Sequence, residues 1–154
     1  MKIMRSRVCL LIVVWLVGSS SWTFASSWQN WRGSHGWGMN APYQKMYNAT
    51  DVIIVAGDVL SVEKQAPMKG MCFGIFLIVK TSNETLSVHL GPLWYIERLD
   101  YKISPGDKVE IKGARLSFNN KPAIIAAEVR HGNKVLILRD NVGIPVWVGW
   151  GWKR

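Results

Sequence analysis

The stretch MCFGIFLIVKTSNETLSVHLGPLWYIERL, residues 71–99, decides the fold. Two apolar runs flank Thr81-Ser82-Asn83, whose composition favours a turn, so the segment reads as a β-hairpin. With Thr81 facing Glu84, the register pairs Ile78 with Ser87 and Phe76 with His89. In the second strand Leu86, Val88 and Leu90 share one face while Thr85, Ser87 and His89 share the other, a half-buried alternation. The first strand is apolar on both sides. Phe73, Ile75, Leu77 and Val79 are expected to fill the inner face, and Cys72, Gly74, Phe76 and Ile78 to follow each other on the outer one. A strand of this kind is normally covered on both faces, so something is expected to lie over Phe76 and Ile78. Gly91-Pro92 ends the hairpin. Pro92 suits the first turn of a short helix, about residues 93–99, in which Leu93, Ile96 and Leu99 recur at i, i+3 spacing.

On the N-terminal side, DVIIVAGDVLSVE (51–63) places Ile53, Val55, Gly57 and Val59 on one face of a long strand, with Gly57 allowing a bend or bulge. On the C-terminal side, ISPGDKVEIKG (103–113) is a Pro-Gly turn feeding a strand with Val109 and Ile111 inward and Lys108, Glu110 and Lys112 outward. Another hairpin follows, KPAIIAAEV (121–129), a turn at His131-Gly132-Asn133, and KVLILRD (134–140). Three strands, a short helix and two strands is the order of the OB-fold, a small all-β Greek-key barrel. Lys134 to Asp140 would add a sixth strand. An SH3-like barrel or an open antiparallel sheet also satisfies the pattern, because strand count is better constrained than closure.

The ends differ in character. Lys2, Arg5 and Arg7 precede an apolar run from Val8 to Val17, then a Ser-rich stretch reaches Ala25. This is the pattern of a secretory signal peptide, residues 1–25, and the run is too short for a membrane-spanning helix, which needs roughly 20 residues. Removing it lowers the formal charge from +9 to +6 and leaves Cys72 as the one cysteine, with no internal disulfide available. The remaining length suits one domain. Residues 26–50 and 141–154 read as irregular Trp-rich arms around a barrel domain at 51–140. Tryptophan left in water is unfavourable, so the arms are expected to dock, on the barrel or on a partner.

No HExxH, CxxC or paired-His spacing occurs, and no G-x-S-x-G or phosphate-binding glycine pattern. No catalytic group and no cofactor is assigned. The soft side chains Met68, Met71, Cys72 and His89, with His35, Met39 and Met46, keep open a metal-handling accessory role of the copper type. The hairpin register counts against one pairing, since it separates Cys72 from His89 by about 13 Å.

The motifs G-D-V (57–59), V-K-T (79–81), V-H-L-G-P-L-W-Y (88–95), P-G-D-K-V-E-I-K-G (105–113) and L-R-D-N-V-G-I-P-V-W (138–147) resemble a group of small exported bacterial OB-fold-like proteins of uncharacterised function. They are distantly similar to the periplasmic BOF stress-tolerance group. The resemblance implies the barrel and the periplasm, and brings no catalytic residues. The expected function is a periplasmic or secreted binding module, taking an unknown small or anionic ligand or an envelope protein. Nucleic acid is a poor candidate for an exported chain. OB-folds bind across strands two and three and the flanking loops. That selects Lys64, Lys69, Phe76, Ile78, Ser87, His89, Phe118, Asn119 and Lys121. The other alternative is a structural subunit of an envelope complex docking through its Trp-rich arms.

Overall fold

The computed structural model describes residues 35–148. The leader at 1–25 and the tryptophans Trp28, Trp31, Trp150 and Trp152 lie outside the described residues. The elements are β1 (Val52–Gln65), β2 (Gly74–Lys80), β3 (Thr85–Pro92), a one-turn helix α1 (Leu93–Ile96), β4 (Lys108–Phe118), β5 (Lys121–His131) and β6 (Lys134–Ile137). The sheet runs β3-β2-β1-β4-β5-β6, and a parallel pairing of β3 with β5 closes the first five strands into a barrel. This is the OB arrangement, with the short helix between β3 and β4. Among the described residues no helix is long and apolar enough to cross a membrane.

Closure depends on β1 serving two partners. Val52 to Asp58 pair with β4, and Asp58 to Gln65 pair with β2. The change of partner coincides with a register shift between Val59 and Ser61, where the Val59 backbone bonds the 106–107 turn on both sides (Val59 N to Asp107 O 2.8 Å, Gly106 N to Val59 O 2.7 Å). Gly57, expected to allow a bend or bulge, lies before that shift. A Cβ there would sit 2.5 Å from the Lys80 carbonyl oxygen, so glycine lets β1 pass close over the end of β2. The β4–β5 turn uses Asn119 and Asn120 with φ of 51° and 61°, the left-handed pair that a two-residue hairpin demands.

The register read from the hairpin holds: Phe76 pairs with His89 and Ile78 with Ser87. Ile75, Leu77, Val79, Leu86, Val88 and Leu90 fill the interior with Val109, Ile111, Ile124 and Val129. Phe73 departs from the expectation. It lies just before β2, beyond the end of the barrel, and is 56% exposed. The helix is shorter than 93–99, although Leu99 still packs against the core. β6 stops at Ile137 rather than Asp140, because Leu138 N and Arg139 N both bond the Ala127 carbonyl (2.8 and 3.1 Å) and both residues turn inward.

The outer face of β2 and β3 is covered from both ends of the chain. Trp37 packs over Gly74 and Trp147 over Gly91, where a Cβ would meet the two indoles at 2.5 and 2.8 Å. Trp147 Nε1 donates to the Trp37 carbonyl at 3.0 Å, so the two coverings hold each other. Gly74→Val is expected to displace Trp37 and lower stability by about 1–3 kcal/mol, the usual effect of overpacking. A urea midpoint unchanged from wild type would show that the indole does not sit there.

Candidate functional site

The covering segments build a buried cluster on the face where OB-folds bind. Trp37 donates its indole N–H to the Cys72 carbonyl at 3.0 Å and meets Tyr43 edge-on, with ring centroids 5.0 Å apart. Tyr43 lies stacked on His89 (6.0 Å, 12°), and its hydroxyl is 2.8 Å from His89 Nδ1. His89 also contacts Phe76 at 4.3 Å and Phe118 at 4.9 Å. Burial holds the Tyr43 hydroxyl protonated, with its pKa raised, and lowers His89 to about 3, an effect the nearby Arg139 charge adds to. A protonated tyrosine and a neutral imidazole share one hydrogen bond, whose donor is set by the imidazole tautomer. Nε2 is buried with no partner among the described residues.

Arg139 closes the cluster. It is 4% exposed and donates to Gln44 Oε1 at 2.6 Å and to the Gly143 carbonyl at 3.1 Å. Its guanidinium lies 5.0 Å from the Tyr47 ring centre and 5.3 Å from that of Trp147, where cation–π attraction offsets part of the desolvation. Burial lowers its pKa to about 10, so the group stays charged at neutral pH.

His89 and Phe76, selected as ligand contacts, lie under the cover that the apolar outer side of β2 led one to expect. Both are 1% exposed, with Tyr43 stacked on His89 and His89 against Phe76. Phe118 joins them and is half-buried, as is Ser87, which pairs with Ile78 and Ala123. The other expected contacts are dispersed. Lys64 forms an exposed ion pair with Glu97 (2.7 Å), Lys69 is exposed in the β1–β2 loop, Asn119 is in the β4–β5 turn and Lys121 opens β5. Tyr43, Gln44 and Arg139 were not legible as site residues. The one hint was an arginine between Leu138 and Asp140 in a stretch read as a strand.

An open groove of about 760 Å³ lies elsewhere, between the β2–β3 and β5–β6 turns. It is lined by Asp58, Lys80, Thr81, Lys108, Glu110 and Arg130, among others. Asp58 pairs across the ladders with both Lys80 and Lys108, which places two lysines on either side of it. Arg130 is engaged by Glu128 at 2.6 Å and approaches Glu110 at 4.0 Å. The lining carries three cations and two carboxylates, and Arg130 is neutralised by Glu128 from outside it, so the positive character of the groove rests on Lys80 and Lys108. Among the described residues no group of three or more His, Cys, Asp or Glu side chains converges as a metal centre.

A closed five-stranded OB barrel with an added edge strand, its β2–β3 face sealed by its own flanking segments, defines the class of the molecule. Residues 51–136 match the model of the MamS/MamX magnetosome protein family, and the chain belongs to that family. The match is to this family and not to the stress-tolerance group that the motifs resemble. It spans the barrel, while Trp37, Tyr43 and Trp147 of the covering segments lie outside it. No protein of curated function matches the sequence.

Proposed function

We propose that the protein is an exported OB-type binding module without catalytic activity of its own, acting in the magnetosome setting that its family's name gives. The leader pattern at residues 1–25 supports export to a periplasmic or secreted location. The observation that carries the binding reading is the groove, an open concavity in which Lys80 and Lys108 have no ion-pair partner within 4.0 Å among the described residues, on a chain of formal charge +6 without its leader. Such a site favours an anionic ligand or an acidic protein surface. The β2–β3 face is a poor alternative, since a ligand would have to displace Tyr43 and Trp37.

Binding is tested with a fluorescent oligoglutamate peptide. The wild type should bind it with an affinity that falls with salt, and Lys80→Glu/Lys108→Glu should weaken it at least tenfold with an unchanged melting curve. Equal affinity for both proteins would reject the groove as the site.

A further inference from the structure

Among the described strands β6 ends the sheet, with β5 on one side and no strand on the other. The turn at Gly132-Asn133 makes His131 and Lys134 the first pair of the β5–β6 ladder. Hydrogen-bonded pairs alternate from there, so Lys134 and Leu136 direct their backbone groups to β5. Leu138 N bonds the Ala127 carbonyl at 2.8 Å, which keeps the same phase. The N–H and C=O groups of Val135 and Ile137 therefore point away from the sheet, and among the described residues no backbone pairs with them. Their side chains stand on the outer face, 51% and 57% exposed. Free edges are usually protected by a proline, a bulge or a projecting charge. Residues 135–137 carry none of these, and the Lys134 ammonium reaches back to the Asp100 carbonyl at 3.5 Å.

We propose that two copies of the chain associate along this edge, β6 pairing antiparallel with β6 of the second copy about a two-fold axis at Leu136. In that register Val135 lies opposite Ile137 of the second copy, and Ile137 opposite its Val135. Each pair exchanges both of its backbone hydrogen bonds and sets two exposed β-branched side chains against each other. A slip of one residue would oppose Val135 to Leu136, whose backbone is already bonded to β5, and would lose both pairs. The charges also fit a second copy. Arg130 and Glu128 are the β5 neighbours of Val135 and Ile137, and Glu110 and Lys112 follow them on β4. Across the seam each row then runs Glu110, Arg130, Val135 and, from the second copy, Ile137, Glu128, Lys112. Unlike charges flank the apolar pair on its two sides, so a basic chain meets itself there without like charges opposed. A peptide of another sequence would complete the backbone but not this row. Four residues from each copy make a contact far below the standard interface, so the association is weak and concentration-dependent. Lys80 and Lys108 take no part in it, so the groove reading and this one fail separately.

The test combines sedimentation equilibrium with amide hydrogen exchange on the full chain over a concentration series, under reducing conditions so that neither cysteine cross-links it. The mass should rise from monomer to dimer and stop there. As the dimer forms, the Val135 and Ile137 amides should become protected, while that of Leu136, already bonded to β5, changes little. Ile137→Lys should weaken dimerisation at least tenfold and leave the melting curve of the monomer unchanged, because the side chain is exposed. A monomer at every concentration would overturn the proposal. So would a dimer whose Val135 and Ile137 amides exchange as they do in the monomer, or an Ile137→Lys variant that associates like its parent. Growth past the dimer would overturn it too, since a closed two-fold seam leaves no edge for a third copy.

Discussion

Trp37→Ala is expected to destabilise the protein by about 3–5 kcal/mol, the range for truncating a fully buried large aromatic. The side chain is 0% exposed and its loss removes more than packing volume. It uncovers the outer side of Gly74, leaves the Cys72 carbonyl without its indole donor, and takes away the ring that Tyr43 and Trp147 meet edge-on at 5.0 and 6.2 Å. The Trp37 carbonyl also receives Gln44 Nε2 at 3.3 Å and Trp147 Nε1 at 3.0 Å, so a shift of the segment loosens both coverings together. Chemical denaturation followed by far-UV circular dichroism measures the loss, and binding of an apolar dye to the native state should rise as Phe76 and His89 are uncovered. A midpoint within experimental error of wild type, with no added dye binding, would mean that the segment before β1 does not seal the barrel.

Acidification should act through His89. Burial depresses its pKa to about 3 in the folded state, with the Arg139 charge as the smaller cause, against 6.5 when unfolded. Because the folded pKa is the lower one, folding favours the neutral imidazole. The stability it supports is fully present above about pH 6.5 and is lost as pH falls towards 3, where protonation pulls the chain towards the unfolded state. Between pH 7 and pH 5 this amounts to about 2 kcal/mol, using 1.36 kcal/mol per unit of displacement. The groups packed around the ring are Phe76, Tyr43 and Phe118, and none of them titrates in that window. His89→Leu costs stability at pH 7 by orphaning the Tyr43 hydroxyl, yet its acid slope should be shallower. The gap between wild type and variant should therefore narrow by about 2 kcal/mol on going from pH 7 to pH 5. The Glu84 carboxylate, whose pKa its hydrogen bond to Arg115 lowers, is common to both proteins and cancels. Parallel stability curves for the two would remove His89 as the acid-sensitive group.

Local chemistry determined much of the architecture. The Thr81-Ser82-Asn83 turn and the alternation through β3 sufficed for the Phe76–His89 register, because a one-residue slip would have exposed Leu86, Val88 and Leu90. Alternation of Ile53, Val55 and Val59, and of Val109 and Ile111, marked the core faces of β1 and β4. The apolar outer side of β2 also announced that a cover existed, since residues such as Phe76 are not left in water at that density. Which residues supply that cover, and which groups meet on it, is decided by contacts between positions far apart in the chain. His89 lies on a face read as outer, and only the arrival of Tyr43 turns it from a surface residue into a buried neutral one. Arg139 reads as one more surface cation until the chain turns inward after Ile137 and Gln44 reaches it across 95 positions of sequence. Lys80 and Lys108 become neighbours because β1 pairs with both of their strands at Asp58. His35 comes beside Cys72 because Trp37 docks on Gly74. Periodicity reports which side of an element is apolar, while the identity of the partner depends on closure of the barrel and docking of its ends, interactions that no local pattern encodes.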